Sequence, residues 1–288
     1  MNIKEFKAYA RDRLASSLEQ PEQRFLVSAL LAHFAGIPNY WYHTHEEHTL
    51  PPAAEKALLK AVDQATLGRP LQYILGFVHF GNCRIGVDER VLIPRPETEE
   101  MWDRARHIPG LVLDACTGSG CLAIALKKAR PLTNVYAFDL SRDALDVASQ
   151  NAALNQVKVH FFLADLTDIS GVEEAAQEAG LQKQTASLLI SNPPYVTESQ
   201  KKGMSGRVLS FEPHSALFVT DNDPLCHYRQ LAALGSRLLC SEGTLMAEIN
   251  EDFGREAGLL LQQAGYRGVQ VHKDLNEKNR IIEARWVP

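Results

Sequence analysis

Leu111-Val112-Leu113-Asp114-Ala115-Cys116-Thr117-Gly118-Ser119-Gly120 decides the fold. An apolar run of strand length ends in a turn broken by glycines, and the apolar residues that follow from about Leu122 predict a helix. Glycine serves where backbone turns sharply and comes close to a ligand, and the helix N-terminus behind it offers free N–H groups. The loop therefore suits a phosphate or an amino-acid carboxylate. Because Ala123 follows, Gly118-x-Gly120-x-x-Ala123 also satisfies the dinucleotide pattern, so the loop alone does not separate NAD from S-adenosylmethionine. A tight turn without ligand is the third reading.

Downstream, strands and helices alternate, the signature of a doubly wound parallel sheet. Strands are predicted at Leu111 to Ala115, Val135 to Asp139, Val159 to Leu163, Leu188 to Ser191, Thr244 to Ile249, Gly268 to His272 and Arg280 to Trp286. Lys273 to Asn279 is too short for a crossover helix, so the last two strands are expected to pair antiparallel at one edge. That ending is unusual for a nucleotide-binding sheet and typical of class I methyltransferases.

Upstream, Ile3, Phe6, Ala10, Leu14 and Leu18 keep helical spacing. Pro21 opens a second helix carrying Phe25, Leu26, Ala29, Leu30 and Phe34, stopped by Gly36 and Pro38, and Pro51-Pro52 opens a third. Phe77 to Phe80, Gly81-Asn82 and Cys83 to Val87 read as a β-hairpin. The expected organisation is a helical bundle over residues 1–68, a linker with the hairpin over 69–93, and an α/β domain over 94–288.

The 288 residues suffice for one large core plus an accessory domain. No apolar run reaches membrane-spanning length and the N-terminus lacks a signal pattern, so a cytoplasmic protein without membrane attachment is expected. Five cysteines (Cys83, Cys116, Cys121, Cys226, Cys240) form no CxxC pair and read as reduced. A net charge of -5 disfavours a protein whose affinity comes from neutralising phosphates, so direct nucleic-acid binding is not expected.

Asp139 ends the second strand, about twenty residues past the glycines, where a carboxylate can accept from both ribose hydroxyls. Asp165, after the third strand, is placed either to accept from an adenine amine, with Leu166 beside the ring, or to cap the next helix.

Ser191-Asn192-Pro193-Pro194-Tyr195 follows the fourth strand, at the carboxyl edge where open α/β sheets bind ligands. The lone pair of an amide or aryl amine nitrogen is delocalised, so methylating it requires the N–H groups to be oriented and the lone pair localised. The Asn192 side-chain oxygen and the Pro193 carbonyl supply two acceptors, and the proline rings keep the second one aimed. Tyr195 can stack on the planar group. No strong base is needed, because a methylated amide nitrogen loses its proton readily.

His43, His45 and His48 lie in a polar loop without the cysteine or carboxylate pattern of a closed zinc site, and no metal is expected. Lys127, Lys128 and Arg130 suit a helix C-terminus. Lys201, Lys202 and Arg207 follow Tyr195, either as a contact for a macromolecular substrate or as a solvated loop.

Taken together, the motifs resemble those of the bacterial peptide chain release factor glutamine N5-methyltransferases over almost the whole chain. The resemblance rests on Arg69 to Gly76, Val91 to Glu99, the Thr117 to Gly120 loop, Ser191 to Val196, Glu212-Pro213 with Ala216-Leu217-Phe218, and Tyr228-Arg229. It implies S-adenosylmethionine bound by Cys116, Thr117, Gly118, Ser119, Gly120, Asp139, Asp165, Leu166 and Asn192. It further implies a substrate glutamine held by Asn192, Pro193, Pro194 and Tyr195, with Asn192, Pro193 and Tyr195 serving catalysis. The implied reaction is N5-methylation of the glutamine in the Gly-Gly-Gln loop of class 1 release factors, with the N-terminal helices helping to recognise that partner. Three departures are Cys116 for a common glycine, Val219 to Pro224 where the family often has Gly-Gly and Asp-Gly, and Ile249-Asn250 where glycine is frequent. Two other readings compete on residues alone. An adenine-N6 methyltransferase shares the Asn-Pro-Pro-Tyr logic but wants a basic cleft, and an NAD-dependent oxidoreductase leaves that motif unexplained.

Overall fold

The computed structural model describes all 288 residues. They divide into two compact units, Met1–Gly76 with Ser205–Phe211, and Phe77–Met204 with Glu212–Pro288.

In the first unit α1 (Ile3–Leu14) begins at Asn2, whose side chain accepts from Glu5 N while the Glu5 carboxylate accepts from Asn2 N, both at 2.9 Å. This reciprocal cap satisfies two donors that a helix start leaves orphaned. Its fully buried face is Ile3, Phe6, Ala10 and Leu14. α2 (Gln20–Ala35) carries Pro21 in its first turn and ends at Gly36, whose φ of 64° only glycine adopts freely. α3 (Trp41–Thr44), α4 (Pro52–Thr66) and α5 (Leu71–Leu75) follow, and Phe6, Leu30 and Leu58 lie in the shared core. The three long helices are the expected ones; α3 and α5 are single turns. The histidine loop packs on Trp41, with His45 stacked at 4.3 Å and His48 edge-on at 5.1 Å. No group of His, Cys, Asp or Glu side chains is arranged to hold a metal ion. Within the returning segment, Arg207 donates to the Ser17 carbonyl at 3.2 Å and pairs with Glu22 at 3.8 Å.

The second unit opens with the expected hairpin, β1 (Phe77–Phe80) and β2 (Cys83–Gly86). It continues through α6 (Pro96–Ala105), β3 (Leu111–Ala115), α7 (Cys121–Ala129), β4 (Val135–Asp139), α8 (Arg142–Leu154), β5 (His160–Leu163), α9 (Ile169–Glu178), β6 (Ala186–Ser191) and β7 (Val196–Thr197). After α10 (Gly206–Phe211), which belongs to the first unit, come β8 (Phe218–Val219), α11 (Cys226–Leu238), β9 (Leu239–Glu248), α12 (Gly254–Gln263), β10 (Tyr266–Lys273) and β11 (Asn279–Trp286).

The main sheet has the order β10-β11-β9-β6-β3-β4-β5. β5, β4, β3, β6 and β9 run parallel, whereas β11 runs antiparallel to both neighbours, placing the antiparallel pair at one edge as the short Lys273–Asn279 connection demands. Helices cover both faces, so the central strands are buried throughout and read as continuous apolar runs. Strand order reverses between β3 and β6, the switch point where such sheets open a crevice at their carboxyl ends. Register sets Ala115, Ser191 and Ala247 side by side there, so the residues after them emerge together.

No helix is long and apolar enough to cross a membrane.

Candidate active site

A cleft of about 410 Å³ opens at this carboxyl edge, within the size range of small-molecule sites. Of the residues expected to serve the site, Cys116, Thr117, Gly118, Ser119, Asp139, Asp165, Leu166, Asn192 and Pro194 line it. Gly120, Pro193 and Tyr195 do not.

The glycine loop owes its shape to three left-handed residues, Cys116, Gly118 and Gly120, with φ of 58°, 54° and 79°. Cys116 therefore stands in a conformation that glycine takes more cheaply, which is the physical content of its departure from the family pattern. At Gly118 an added Cβ would meet nothing within 4 Å, whereas at Gly120 it would lie 2.9 Å from Ile124 Cδ1 and 3.0 Å from Ala148 Cβ. One glycine keeps the cleft side open and the other lets α7 lie close on α8. Burial pushes the Cys116 and Cys121 thiols up, so neither is a thiolate nucleophile.

Asp139 holds the loop as well as facing the cleft. Its Oδ2 accepts from Gly118 N at 2.8 Å and its Oδ1 from Ser141 N at 2.9 Å. Burial raises its pKa, and the backbone N–H groups oppose that rise. Each oxygen keeps a further lone pair for a ribose hydroxyl.

Asp165 Oδ1 accepts from Thr167 N at 2.8 Å in a local turn, while the cap of α9 is Asp168. The helix-capping alternative for Asp165 therefore falls, and its other oxygen remains for a ligand. Leu166 is 4 % exposed and belongs to the sheet core.

Sequence reasoning missed Asp114. It is fully buried beneath the loop, its Oδ2 accepts from Thr117 Oγ1 at 2.6 Å, and its Oδ1 has no partner. Burial raises its pKa to about 7. An orphaned buried carboxylate oxygen costs free energy when charged, and the raised pKa reflects that cost. The signal was available as an acid inside an apolar strand.

Asn192 Nδ2 donates to Thr98 Oγ1 at 3.1 Å, and its Oδ1 has no donor within the protein. The Pro194 carbonyl accepts from His227 Nδ1 at 2.9 Å and the Tyr195 carbonyl from Asn250 Nδ2 at 2.9 Å. The Pro193 carbonyl just before them has no protein donor. Asn192 Oδ1 and the Pro193 carbonyl thus lack protein donors, but of the two residues only Asn192 lines the cleft. Tyr195 packs against the sheet core, and its hydroxyl donates to Glu248 Oε1 at 2.6 Å.

Glu212 fixes the approach to the cleft. It is 4 % exposed, accepts from Ile93 N at 3.2 Å and binds Arg95 Nη2 at 2.6 Å, which ties the Ile93 to Pro96 turn to the Glu212-Pro213 segment. Lys201 pairs with Glu198 and lies over the Phe218 ring at 4.1 Å.

A parallel sheet finished by an antiparallel pair, with a glycine loop after its first strand and a cleft at its switch point, is the architecture of the class I S-adenosylmethionine-dependent methyltransferases. The fold is similar to that of a methyltransferase from Pyrococcus furiosus, at a TM-score of 0.51 with 14% identity, covering 81% of this chain and 98% of that one. Two family models match: the PrmC N-terminal domain over residues 5–76 and the Methyltransferase small domain over residues 99–212. The release factor glutamine methyltransferase of Bacteroides thetaiotaomicron is 34% identical over 96% of this chain and 98% of its own length. That of Flavobacterium psychrophilum is 38% identical over 81% and 79%, and that of Chlorobaculum tepidum 34% identical over 90% and 89%. The chain belongs to the release factor glutamine methyltransferase family.

Proposed function

We propose that this chain transfers a methyl group from S-adenosylmethionine to the side-chain amide nitrogen, N5, of the glutamine in the Gly-Gly-Gln loop of a class 1 peptide chain release factor. The observation that carries the proposal is the acceptor Asn192 Oδ1, on a cleft-lining residue and without a protein donor, followed by a Pro193 carbonyl that also lacks one, on a loop whose next two carbonyls are closed by His227 and Asn250. Two fixed acceptors match the two N–H groups of a primary amide. They stabilise the nitrogen most as its lone pair localises, which lowers the barrier more than it tightens substrate binding.

The cleft fits the cofactor. The Cys116 to Gly120 loop with the start of α7 suits its carboxylate, Asp139 its ribose, and Asp165 with Leu166 its adenine, while Asp114 holds the loop from beneath through Thr117. The bound cofactor supplies an electrophilic methyl group on a sulfonium. Pro194 stiffens the loop beside the acceptors, and Tyr195, packed on the sheet core and bound to Glu248, anchors that loop from behind rather than stacking on the amide. Glycines flanking the target glutamine allow an extended backbone to push one side chain deep into a narrow site. The helical unit, similar to the PrmC N-terminal domain, contacts the release factor.

Incubation with labelled S-adenosylmethionine and purified release factor, followed by mass spectrometry, tests the reading. The methyl is expected on the loop glutamine of the whole factor, with little transfer to a short loop peptide and none after Gln→Ala there. Efficient transfer to DNA or RNA with the release factor inert would overturn it.

A further inference from the structure

Glu248 is the last residue of β9, 1 % exposed, and follows Ala247, which pairs with Ser191, the residue before Asn192. Its two oxygens are engaged by different parts of the site. Oε1 accepts from the Tyr195 hydroxyl at 2.6 Å, and Oε2 accepts from Thr98 Oγ1 at 2.7 Å. Thr98, 2 % exposed on α6, in turn faces Asn192 Nδ2 at 3.1 Å.

The direction of this chain follows from counting hydrogens. An ionised carboxylate only accepts, and a threonine hydroxyl has one hydrogen to give. Once that hydrogen goes to Glu248, the Thr98 oxygen can only accept, so Asn192 must turn its NH2 toward Thr98 and leave its Oδ1 for the cleft. The reversed amide would set two oxygens against each other without a hydrogen between them, an unfavourable arrangement in a buried site.

We infer that Glu248 is a positioning residue that fixes, through Thr98, which end of the Asn192 amide meets the substrate, and that holds the Tyr195 hydroxyl directly. The inference rests on the reading that Asn192 Oδ1 accepts a substrate N–H. It gives a buried acid a reason to follow the apolar run Leu245-Met246-Ala247, where desolvation alone disfavours it.

The charge on Glu248 is what sets the polarity. Burial raises its pKa, opposed by the Tyr195 and Thr98 hydrogen bonds and by Arg280, and supported by Glu97. Arg280 is itself bound to Asp274 at 3.1 Å and Glu251 at 3.5 Å. Protonated Glu248 becomes a donor and loses command of the relay. Turnover therefore falls with pH on an acid limb displaced upward from the ordinary carboxylate range.

The test compares Asn192→Ala, Glu248→Gln, Thr98→Val and Thr98→Ser in the full chain, with turnover measured against pH and S-adenosylmethionine affinity by calorimetry. Glu248→Gln is isosteric but brings a donor, so Thr98 or Tyr195 must reverse. Turnover is expected to fall on the order of tenfold to a hundredfold with cofactor affinity within about twofold, as for other small misplacements of a reacting pair. The acid limb should vanish in the same variant. Thr98→Val should lose turnover and Thr98→Ser should recover most of that loss. In a Thr98→Val background, which has already cut the relay, adding Glu248→Gln should cost only what the Tyr195 arm carries. Should Glu248→Gln fail to fold, the Thr98 pair carries the same test. If Asn192→Ala is inactive while Glu248→Gln and Thr98→Val turn over like the wild type, the relay is overturned and the acceptor reading stands. If Asn192→Ala itself keeps wild-type turnover, the acceptor reading falls and the relay with it.

Discussion

His227 Nδ1 donates to the Pro194 carbonyl across 2.9 Å, which fixes the neutral ring as the tautomer with its free Nε2 at the cleft wall. Since a carbonyl only accepts, the hydrogen must sit on Nδ1. Burial lowers the His227 pKa, and the Pro194 carbonyl, Asp165 and Asp223 resist the change.

A histidine whose folded pKa lies below its unfolded value binds more protons when unfolded. Its stability contribution is present above the unfolded value, about 6.5, and is lost as pH falls through the folded one. Urea denaturation between pH 5 and pH 8 should show wild type losing stability toward acid relative to His227→Phe. Parallel pH profiles would refute the burial of the neutral ring.

Asp139→Ala removes the carboxylate proposed to accept from the ribose and unties Gly118 and Ser141. Losing a hydrogen bond to a charged group costs about 1.5–3 kcal/mol, so S-adenosylmethionine affinity should drop about tenfold or more. Calorimetry on the folded variant measures it, and an unchanged Kd would leave Asp139 a purely structural clasp.

The two loop glycines should respond differently to alanine. Gly118→Ala meets open space and carries only the left-handed backbone penalty, about 1–2 kcal/mol. Gly120→Ala adds a clash with Ile124 and Ala148, for which overpacking of about 1–3 kcal/mol more is expected. Thermal melts of the two variants should therefore rank Gly120→Ala below Gly118→Ala. The reverse order would contradict the close approach of α7 and α8.

Phe6→Ala opens a cavity in the helical unit and should cost about 3–5 kcal/mol there. Because the sheet has its own core, cofactor affinity should persist while methylation of intact release factor declines. Full methylation despite a melted helical unit would remove that unit from recognition.

The parts of the fold visible in sequence are those with a local cause. Leu111–Ala115 and Val135–Asp139 match their predicted bounds because apolar runs end at a glycine turn and at an acid. β9 begins at Leu239 although the reading started it at Thr244, since Ser241, Glu242 and Gly243 disguise its first half and Glu242 takes a φ of 62°. α3 and α5 are too short to show a period. In the site, Asn192 and Asp139 announced themselves through motif context. Thr98 and Glu248 did not, because they lie 150 residues apart and only the register of β6 on β9 with the packing of α6 unites them. The lone acid in Thr244 to Ile249 was the available clue, since a charge in a two-sided buried strand needs partners.

The helical unit takes its final piece, Ser205–Phe211, from far along the chain: Arg207 reaches Ser17 and Glu22, and Phe211 lies beside Gly68. A ribosome making this protein completes Met1–Gly76 more than a hundred residues before that piece exists. At about 5–20 residues per second the nascent bundle waits for several seconds with one face unfinished, and it closes only after β3 to β6 have been made. Its maturation is thereby tied to synthesis of most of the sheet, so a chain truncated before Ser205 leaves the bundle incomplete even though its first 76 residues are all present.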